Sequence, residues 1–362
     1  MRRNNATTLQ DIAREAGVTA MTVSVVLNGA TSSTRVSEGT RSRITEVAER
    51  LRYRPNGVAR GLSRRRMDTI GVCCNIDGTE LNLYFLEVLN GILEANAEHG
   101  QNTTVFSVAD WRKDEEKLLA FCDGRVDGMI CIGPLFSTTF AETLLHHTPF
   151  ITLHSNEILP HTHNLTVDDE GGAYAVTRHL IDQGHRRILH FSGQPELTGA
   201  QHRLDGYRKA LTEAGIADDP ALVIPGQFSV VSGRERMTAL LDTTQLKTLP
   251  TAIFCANDAI AYGCMEVLAG HGLHVPQDIS IVGFDDSLTA RMTAPPLTTV
   301  RQPLRQMGHA AVELLLPRIE SKNLPSADGP SSQAFALSQT VFPLELIIRG
   351  SVGPPAHSPL QR

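Results

Sequence analysis

Polar or small residues recur in this sequence wherever a short apolar run ends. They are Asn75 after TIGVCC, Gly133 after MICI, His154 after FITL, Ser192 after ILHF, Asn257 and Asp258 after AIFC, and Asp285 and Asp286 after IVGF. Carboxylates, amides and an imidazole gathered at strand ends suit hydrogen-bonded recognition of a polyhydroxylated or heteroaromatic small molecule. Adjacent carboxylates at 285 and 286 also invite an acid–base reading. No nucleophile elbow, P-loop, H-E-x-x-H or G-x-G-x-x-G accompanies them, so binding rather than catalysis is expected. Asp258 could equally cap the helix that follows it. His146, His147, His154, His161 and His163 are potential metal ligands, but no second-shell or cysteine partners lie at suitable spacing, so neither metal nor cofactor is expected. The six cysteines, at 73, 74, 122, 131, 255 and 264, mostly sit inside apolar runs and read as buried, reduced thiols.

A second chemistry is concentrated at the other end of the chain. Residues 1–66 hold 13 arginines, no lysine and five acidic residues, a net +8, whereas the whole chain carries −6 and the remainder therefore −14. A solvated surface explains charge in general but not its segregation by sign. A basic head and an acidic body suit a head held against phosphates, where arginines displace counterions. No apolar run approaches the roughly 18 residues of a membrane span. The amino-terminal MRRNNATT lacks the apolar core of an export signal, so a cytoplasmic protein is expected.

Helical periodicity defines the elements that carry the basic head. Leu9, Ile12, Ala13 and Ala16 share one face of a short helix, and Thr22, Val23, Val26 and Leu27 supply the inward face of a second. Gly17 between them accepts positive φ without steric cost and permits a sharp turn, giving a helix-turn-helix. After a polar loop, Ser37 is a good N-cap for a third helix in which Ile44, Val47, Ala48 and Leu51 recur at helical spacing. Pro55 ends that helix, and Asn56 can cap a short one over residues 57–63. With two glycines and so few residues, that helix should not be stable alone.

From Thr69 onward, strand-length apolar runs alternate with amphipathic helices. A first series runs from TIGVCC through TTVFSV and VDGMICI to PFITL, with helices over residues 86–97 and 115–121 and near Glu142. A second runs from NLTV through RRILHF, LVI and TAIFC to ISIVGF, with helices over 173–181, 203–214, 233–241 and 259–268. This βαβ alternation predicts an α/β architecture of two lobes with mainly parallel sheets. LTTV at 297–300, a helix over 307–316 and FPLELIIR are extra elements that could cross back between lobes. The Pro-rich tail SVGPPAHSPLQR is expected to be disordered.

Several motifs in fixed order carry a resemblance. TLQDIAREAGVTAMTVSVVLNG, VSEGTRSRI, YRPNGVARGL, TIGV, QGHRRI, RLDGYRKAL, CANDAIAYG, VPQDISIVGFDD and PPLTTVRQP together resemble the lactose-repressor (LacI-type) family of bacterial transcription regulators, over residues 8–349. The resemblance implies a helix-turn-helix headpiece at 1–54, a hinge helix and linker at 55–66, a two-lobed periplasmic-binding-protein-like effector domain at 67–350, and a tail at 351–362. It implies a homodimer, with no membrane partner, on a near-palindromic double-stranded operator, controlled by a small-molecule effector. By motif position, Ala20, Met21, Thr22, Ser24 and Asn28 belong to the recognition helix, and Thr8, Leu9 and Thr19 fall near phosphates. Asn56, Val58, Ala59 and Leu62 match hinge residues that enter the minor groove. In the effector domain, Arg203 of R-L-x-G would grip the ligand, Asp285 would accept its hydroxyls or N–H groups, and Asn257 would add a polar contact. Phe228 stands where an aromatic ring covers the ligand, Tyr84 or Phe85 would line the other lobe, and His154 replaces an acid.

Three departures stand out. Val25 occupies a position where many members carry a guanine-reading arginine. The loop between Asn28 and Val36 is longer than usual, and the ending contains no leucine heptad. The implied function is a transcriptional regulator, a repressor in the first instance, responding to a sugar or sugar derivative. A nucleobase effector is the alternative, and a solute-binding receptor fits poorly because it would need an export signal and no basic head.

Overall fold

In the computed structural model the described residues are 7–28, 35–64, 66–75, 83–244, 248–322 and 338–356. Most of the loop between Asn28 and Val36, the side chains of Val58 and Leu62, and residues 357–362 lie outside that description. No described helix is long and apolar enough to cross a membrane. The chain divides into two units, residues 1–69 with 123–127, and residues 70–122 with 128–362.

The first unit contains α1 (Leu9–Ala16), α2 (Ala20–Asn28), α3 (Glu38–Arg50) and α4 (Gly57–Arg64). Thr8 and Asp11 close a reciprocal capping box at the start of α1, and Gly17 ends the helix at φ +64. Ile12, Ala13 and Ala16 of α1, Val23 of α2 and Ile44, Val47 and Ala48 of α3 make one small core, flanked by half-buried Leu9, Ala20, Val26, Leu27 and Leu51. The apolar periodicity therefore points inward as expected. Ser37 caps α3, its side chain accepting from Thr40 N at 3.3 Å. Asn56 Oδ1 accepts from Ala59 N at 3.3 Å to start α4, and Arg64 Nη2 donates to the Asn28 carbonyl at 2.8 Å. Asp127 holds the linker beyond α4, accepting from Met67 N at 2.8 Å and Thr69 N at 3.3 Å.

The second unit contains, in order, β1 (Thr69–Asn75), α5 (Leu83–Glu98), β2 (Asn102–Val108), α6 (Glu115–Phe121), β3 (Gly128–Ile132), α7 (Thr138–His147), β4 (Phe150–Leu153) and β5 (His163–Val167). Then come α8 (Asp169–Asp182), β6 (Ile188–Gly193), α9 (Thr198–Glu213), β7 (Val223–Pro225), α10 (Val230–Thr243), β8 (Ala252–Cys255), α11 (Asp258–Gly270) and β9 (Ser280–Val282). The last elements are α12 (Leu288–Met292), β10 (Thr299–Arg301), α13 (Leu304–Lys322), β11 (Ser338–Phe342) and β12 (Glu345–Ile347). Six strands form one sheet in the order β11-β5-β4-β3-β1-β2, and four form another in the order β7-β6-β8-β9. The paired registers within β6–β9, and from β1 through β3, β4 and β5 to β11, are all parallel. Burial on both faces explains why their sequences read as continuous apolar runs, such as the wholly buried GMICI of β3.

Two expectations are corrected. NLTV opens the second sequence series but forms β5 of the first sheet, pairing with β4, and β11 completes that sheet from far along the chain. Periodicity identifies a strand but not its partner, so the lobe assignment was not local information. The chain passes to the second lobe after β5, returns as α13 to pack on β3, β4 and α5, and leaves again into β12, which pairs antiparallel with β10. The described part of the tail, residues 351–356, is also anchored where disorder was expected. Ser351 is wholly buried, its Oγ donating to Ile281 O at 2.6 Å and accepting from Thr298 N at 2.8 Å. Gly353 O bonds a His185 ring nitrogen at 2.9 Å. Backbone pairing fixes this Pro-rich stretch in spite of its composition.

Candidate functional site

In the first unit α2 presents its amino-terminal turn. Thr19 Oγ1 accepts from Thr22 N at 3.2 Å and lies 2.9 Å from Thr22 Oγ1, so both hydroxyls gather where the helix begins. Met21 is 65% exposed and Val23 is fully buried, which separates an outward from an inward face within three residues. Thr8 and Thr19 are exposed and Ser24 is half-exposed, its Oγ accepting from Asn28 Nδ2 at 3.4 Å. Leu9 and Ala20 pack against the core, leaving them less outward than the motif positions imply. Arg35, Arg41, Arg43, Arg52 and Arg54 stand exposed on the same unit. Such a unit, with polar and methyl-bearing side chains at a helix start and cations around it, has the chemistry of a phosphate-anchored groove reader.

In the second unit a constellation forms around Arg203, in the second turn of α9. The helix expected from residue 203 begins five residues earlier. Arg203 is buried, its Nε donating to Asp169 Oδ1 at 2.7 Å and its Nη1 to Ala256 O at 2.5 Å. The guanidinium lies 3.8 Å from the Phe284 ring centroid and 5.7 Å from that of Phe228. Phe228 covers Gly193, where a Cβ would collide with the ring. Asp285 follows at the carboxyl end of β9 with φ +124, its backbone held by Val300 and its Oδ1 accepting from Gln302 Nε2 at 2.7 Å. Burial pushes the Asp285 carboxyl well above the usual carboxylate range, against the pull of Arg203.

Across the cleft, Tyr84 and His154 of the first lobe meet edge to face with centroids 5.5 Å apart. His154 sits at φ +48, and burial pushes its imidazole down to about 4, with Asp169 opposing and Arg203 adding to the shift. Burial raises the Tyr84 phenol, and Asp285 raises it further. The charges of one lobe thus act on titratable groups of the other. Asn156 closes the same gap: its Oδ1 accepts from Thr198 N at 2.9 Å and its carbonyl from Thr198 Oγ1 at 3.0 Å. Among the described residues, His154 Nε2 and Gln302 Oε1, both buried here, find no hydrogen-bond partner.

Other strand-end residues serve the frame. Asn257 caps α11, its Oδ1 accepting from Ile260 N at 2.9 Å while Nδ2 reaches Phe228 O at 3.4 Å, so it steadies the Phe228 segment. Asp258 accepts from Ser287 N at 2.8 Å, Ser287 Oγ at 3.0 Å and Thr299 Oγ1 at 2.6 Å, tying the loop that carries Asp285 to β10. Asp286 is ringed by Arg291, Arg301 and Arg349. Burial alone would raise its carboxyl, but bonds from Arg349 and Arg301 hold it below the ordinary value. Phe85, expected as a possible wall, is 7% exposed inside the first-lobe core, because its helix turns Tyr84 rather than Phe85 toward His154. Asn75 is exposed and bonds Ala109 O at 2.8 Å. Asp169 and Gln302 were not among the expected residues. Asp169 stands two residues past NLTV and Gln302 two residues past LTTV, so both were within reach of the strand-end rule.

The family model "Bacterial regulatory proteins, lacI family" matches residues 8–56, and that of a "Periplasmic binding protein-like domain" matches residues 177–352. An "HTH-type transcriptional repressor PurR" of Aliivibrio salmonicida (strain LFI1238) is 34% identical over 322 residues, 87% of this chain and 93% of that protein. The lac repressor dimer bound to operator and the anti-inducer ONPF superposes with a TM-score of 0.78 at 27% identity, over 96% of this chain and 100% of that one. A transcriptional regulator CelR–cellobiose complex gives a TM-score of 0.67 at 29% identity, over 95% and 99%. The matched headpiece, the two parallel sheets and a relative of this identity along most of the chain agree: the chain belongs to the lacI family of bacterial regulatory proteins.

Proposed function

We propose that this regulator acts in the cytoplasm as a homodimer on a near-palindromic operator, with DNA affinity set by a sugar or sugar derivative held between its lobes. Residues 1–54 read DNA, 55–66 form the hinge, and the two-lobed unit from residue 67 binds effector and carries the dimer contacts. The observation that carries the effector reading is the set of buried polar groups that the two lobes bring to the cleft. Asp285 and Gln302 Oε1 are acceptors, His154 Nε2 accepts or donates according to its tautomer, and the last two are unbonded among the described residues, whereas buried polar groups seldom stay unpaired. Sugar hydroxyls supply several donors at once, Phe228 offers a face for C–H groups, and Arg203 donates to ring or hydroxyl oxygen. The cellobiose complex of a similar regulator supports this class.

Phe228 and the neighbouring Arg203 guanidinium, 5.7 Å from its ring centroid, also favour a second reading, a stacked nucleobase. At the headpiece, Thr19, Met21, Thr22 and Ser24 contact base edges or phosphates, Thr8 anchors a phosphate, and Asn56 and Ala59 enter the minor groove with their hinge neighbours. Val25 removes a guanine contact, so methyl contacts and DNA deformability carry more of the specificity. Selection from random duplex DNA, at a salt concentration that suppresses non-specific binding, is expected to enrich a palindrome. Thermal-shift screening of sugars, sugar phosphates and nucleobases is expected to give a sugar that raises the midpoint and changes operator affinity. Absence of any enriched palindrome would refute the DNA reading, and a response confined to nucleobases would replace the sugar.

A further inference from the structure

Within the second unit, apart from the cleft residues, two imidazoles and two carboxylates meet on the α5–α13 pair. Gly91 and Gly308 let these helices approach backbone to backbone, since a Cβ at either would collide with the Arg305 or Val88 carbonyl. The close approach aligns a ladder of pairs: Arg305 with Glu94, His309 Nε2 with Glu98 Oε2 at 3.1 Å, and Glu313 Oε1 with His99 Nε2 at 2.6 Å. The first rung is an ordinary arginine–carboxylate pair. The next two bring donors of another kind together, because His309 and Glu313 stand four residues apart on one helix face. Ligand atoms of Glu98, His309 and Glu313 all lie within 4.8 Å of one another, and the His99 ring nitrogen joins them through Glu313. Their side chains are 37–63% exposed, so an ion can reach them without opening the fold.

We propose that Glu98, His309 and Glu313, with His99 as fourth ligand, form a zinc-class divalent cation site that staples α5 to α13. Zinc takes imidazole nitrogen and carboxylate oxygen at about 2.0–2.2 Å, which separates tetrahedral donors by roughly 3.3 Å. The His309–Glu98 contact, at 3.1 Å, already stands near that spacing, and rotation of exposed side chains widens the His99–Glu313 contact from 2.6 Å and draws the two pairs together. Two carboxylates balance the charge of the dication, and two imidazoles select zinc over magnesium or calcium, which prefer oxygen alone. The staple joins α5 to the helix by which the chain returns from the second lobe, so occupancy stiffens the first lobe.

The test uses the full-length protein, freed of metal and titrated with zinc chloride by calorimetry at pH 7.5, with magnesium chloride as control. One zinc per chain is expected to bind with a dissociation constant of about a micromolar or lower and to raise the thermal midpoint. Magnesium should bind at least a hundredfold more weakly. The paired substitution His99→Ala and His309→Ala should weaken zinc at least tenfold and abolish the thermal shift. If that variant does not fold by circular dichroism, Glu313→Gln, an exposed change, should lower affinity severalfold. Cobalt(II) added to the unaltered protein should give the intense visible absorption of tetrahedral nitrogen–oxygen coordination. Absence of saturable zinc binding, a weak octahedral cobalt spectrum, or unchanged zinc affinity in the folded variants overturns the proposal.

Discussion

The buried Arg203–Asp169 pair makes a quantitative prediction. The two side chains are only 8% and 4% exposed, with Nε and Oδ1 2.7 Å apart. Removing one member of such a pair strands the other charge in the protein and costs about 3–5 kcal/mol. Asp169→Asn should sit near 3 kcal/mol, because the Ala256 carbonyl and the Phe284 ring still hold the guanidinium. Arg203→Met should sit near 5 kcal/mol, since it also removes those two contacts. The double variant strands neither charge, and Met replaces the apolar stem. It should cost about 5 kcal/mol rather than the additive 8, a coupling near 3 kcal/mol. Urea unfolding followed by far-ultraviolet circular dichroism measures the cycle, provided the four m-values agree. Effector response should disappear in all three variants while operator binding persists in those that remain folded. Additivity within about 0.5 kcal/mol would refute the view that these charges depend on each other. A normal effector response in folded Arg203→Met would remove Arg203 from the ligand site.

Acidification should expose the buried imidazole of His190, which stacks on Phe254 at 4.4 Å and bonds its carbonyl through Nδ1 at 3.0 Å. Burial pushes this imidazole down from 6.5 to about 3, so between those values the unfolded chain binds a proton that the native one refuses. Its contribution is fully present above pH 6.5 and is lost as pH falls toward 3, about 2 kcal/mol between pH 7 and pH 5. His190→Gln should flatten the pH dependence of urea stability by that amount, and an unchanged slope would refute the assignment. Asp127→Ala removes the acceptor of two linker amides and should reduce the effector-dependent change in operator affinity by about fivefold, roughly 1 kcal/mol, with effector affinity retained. Operator titrations with and without effector decide it, and full coupling in the variant would show that the linker needs no such clamp.

Much of the headpiece was legible in the sequence because its determinants are local. Thr8, Gly17, Ser37 and Asn56 punctuate helices within three or four residues of themselves, and Ile12, Val23 and Ile44 reveal their faces by spacing. The lobes were legible as alternation but not as pairing. NLTV carries the same strand signal whether it lies beside β4 or β6, and the anchoring of Ser351 depends on Ile281, 70 residues away. The core position of Phe85 and the turn of Tyr84 toward His154 depend on the azimuth of α5 against its sheet, which adjacent aromatic residues leave undetermined.

The strand-end rule picks out polar residues at strand ends without distinguishing those bonded within the frame from those left to face the cleft, and the physical reason lies in satisfaction rather than polarity. Asn257, Asp258 and Asp286 are as polar as Asp285 and His154, but their oxygen atoms are occupied by Ile260, Ser287, Thr299 and three arginines. Asp285 and His154 hold positive φ, at +124 and +48, as does Asp286 at +54, conformations that cost L-residues roughly 1–3 kcal/mol each. Asp285 keeps that conformation because its N–H donates to Val300 O at 2.8 Å and its carbonyl accepts from Gln302 N at 3.2 Å. The backbone is thus secured on either side, while among the described residues Gln302 Oε1 and His154 Nε2 have no hydrogen-bond partner. A ligand that satisfies both atoms gains hydrogen bonds in a dry, rigid setting, and it gains them only when the lobes are close enough for Asn156 to meet Thr198. On the proposed reading, effector binding and lobe closure would therefore favour each other, which is the differential affinity that a ligand-controlled regulator requires.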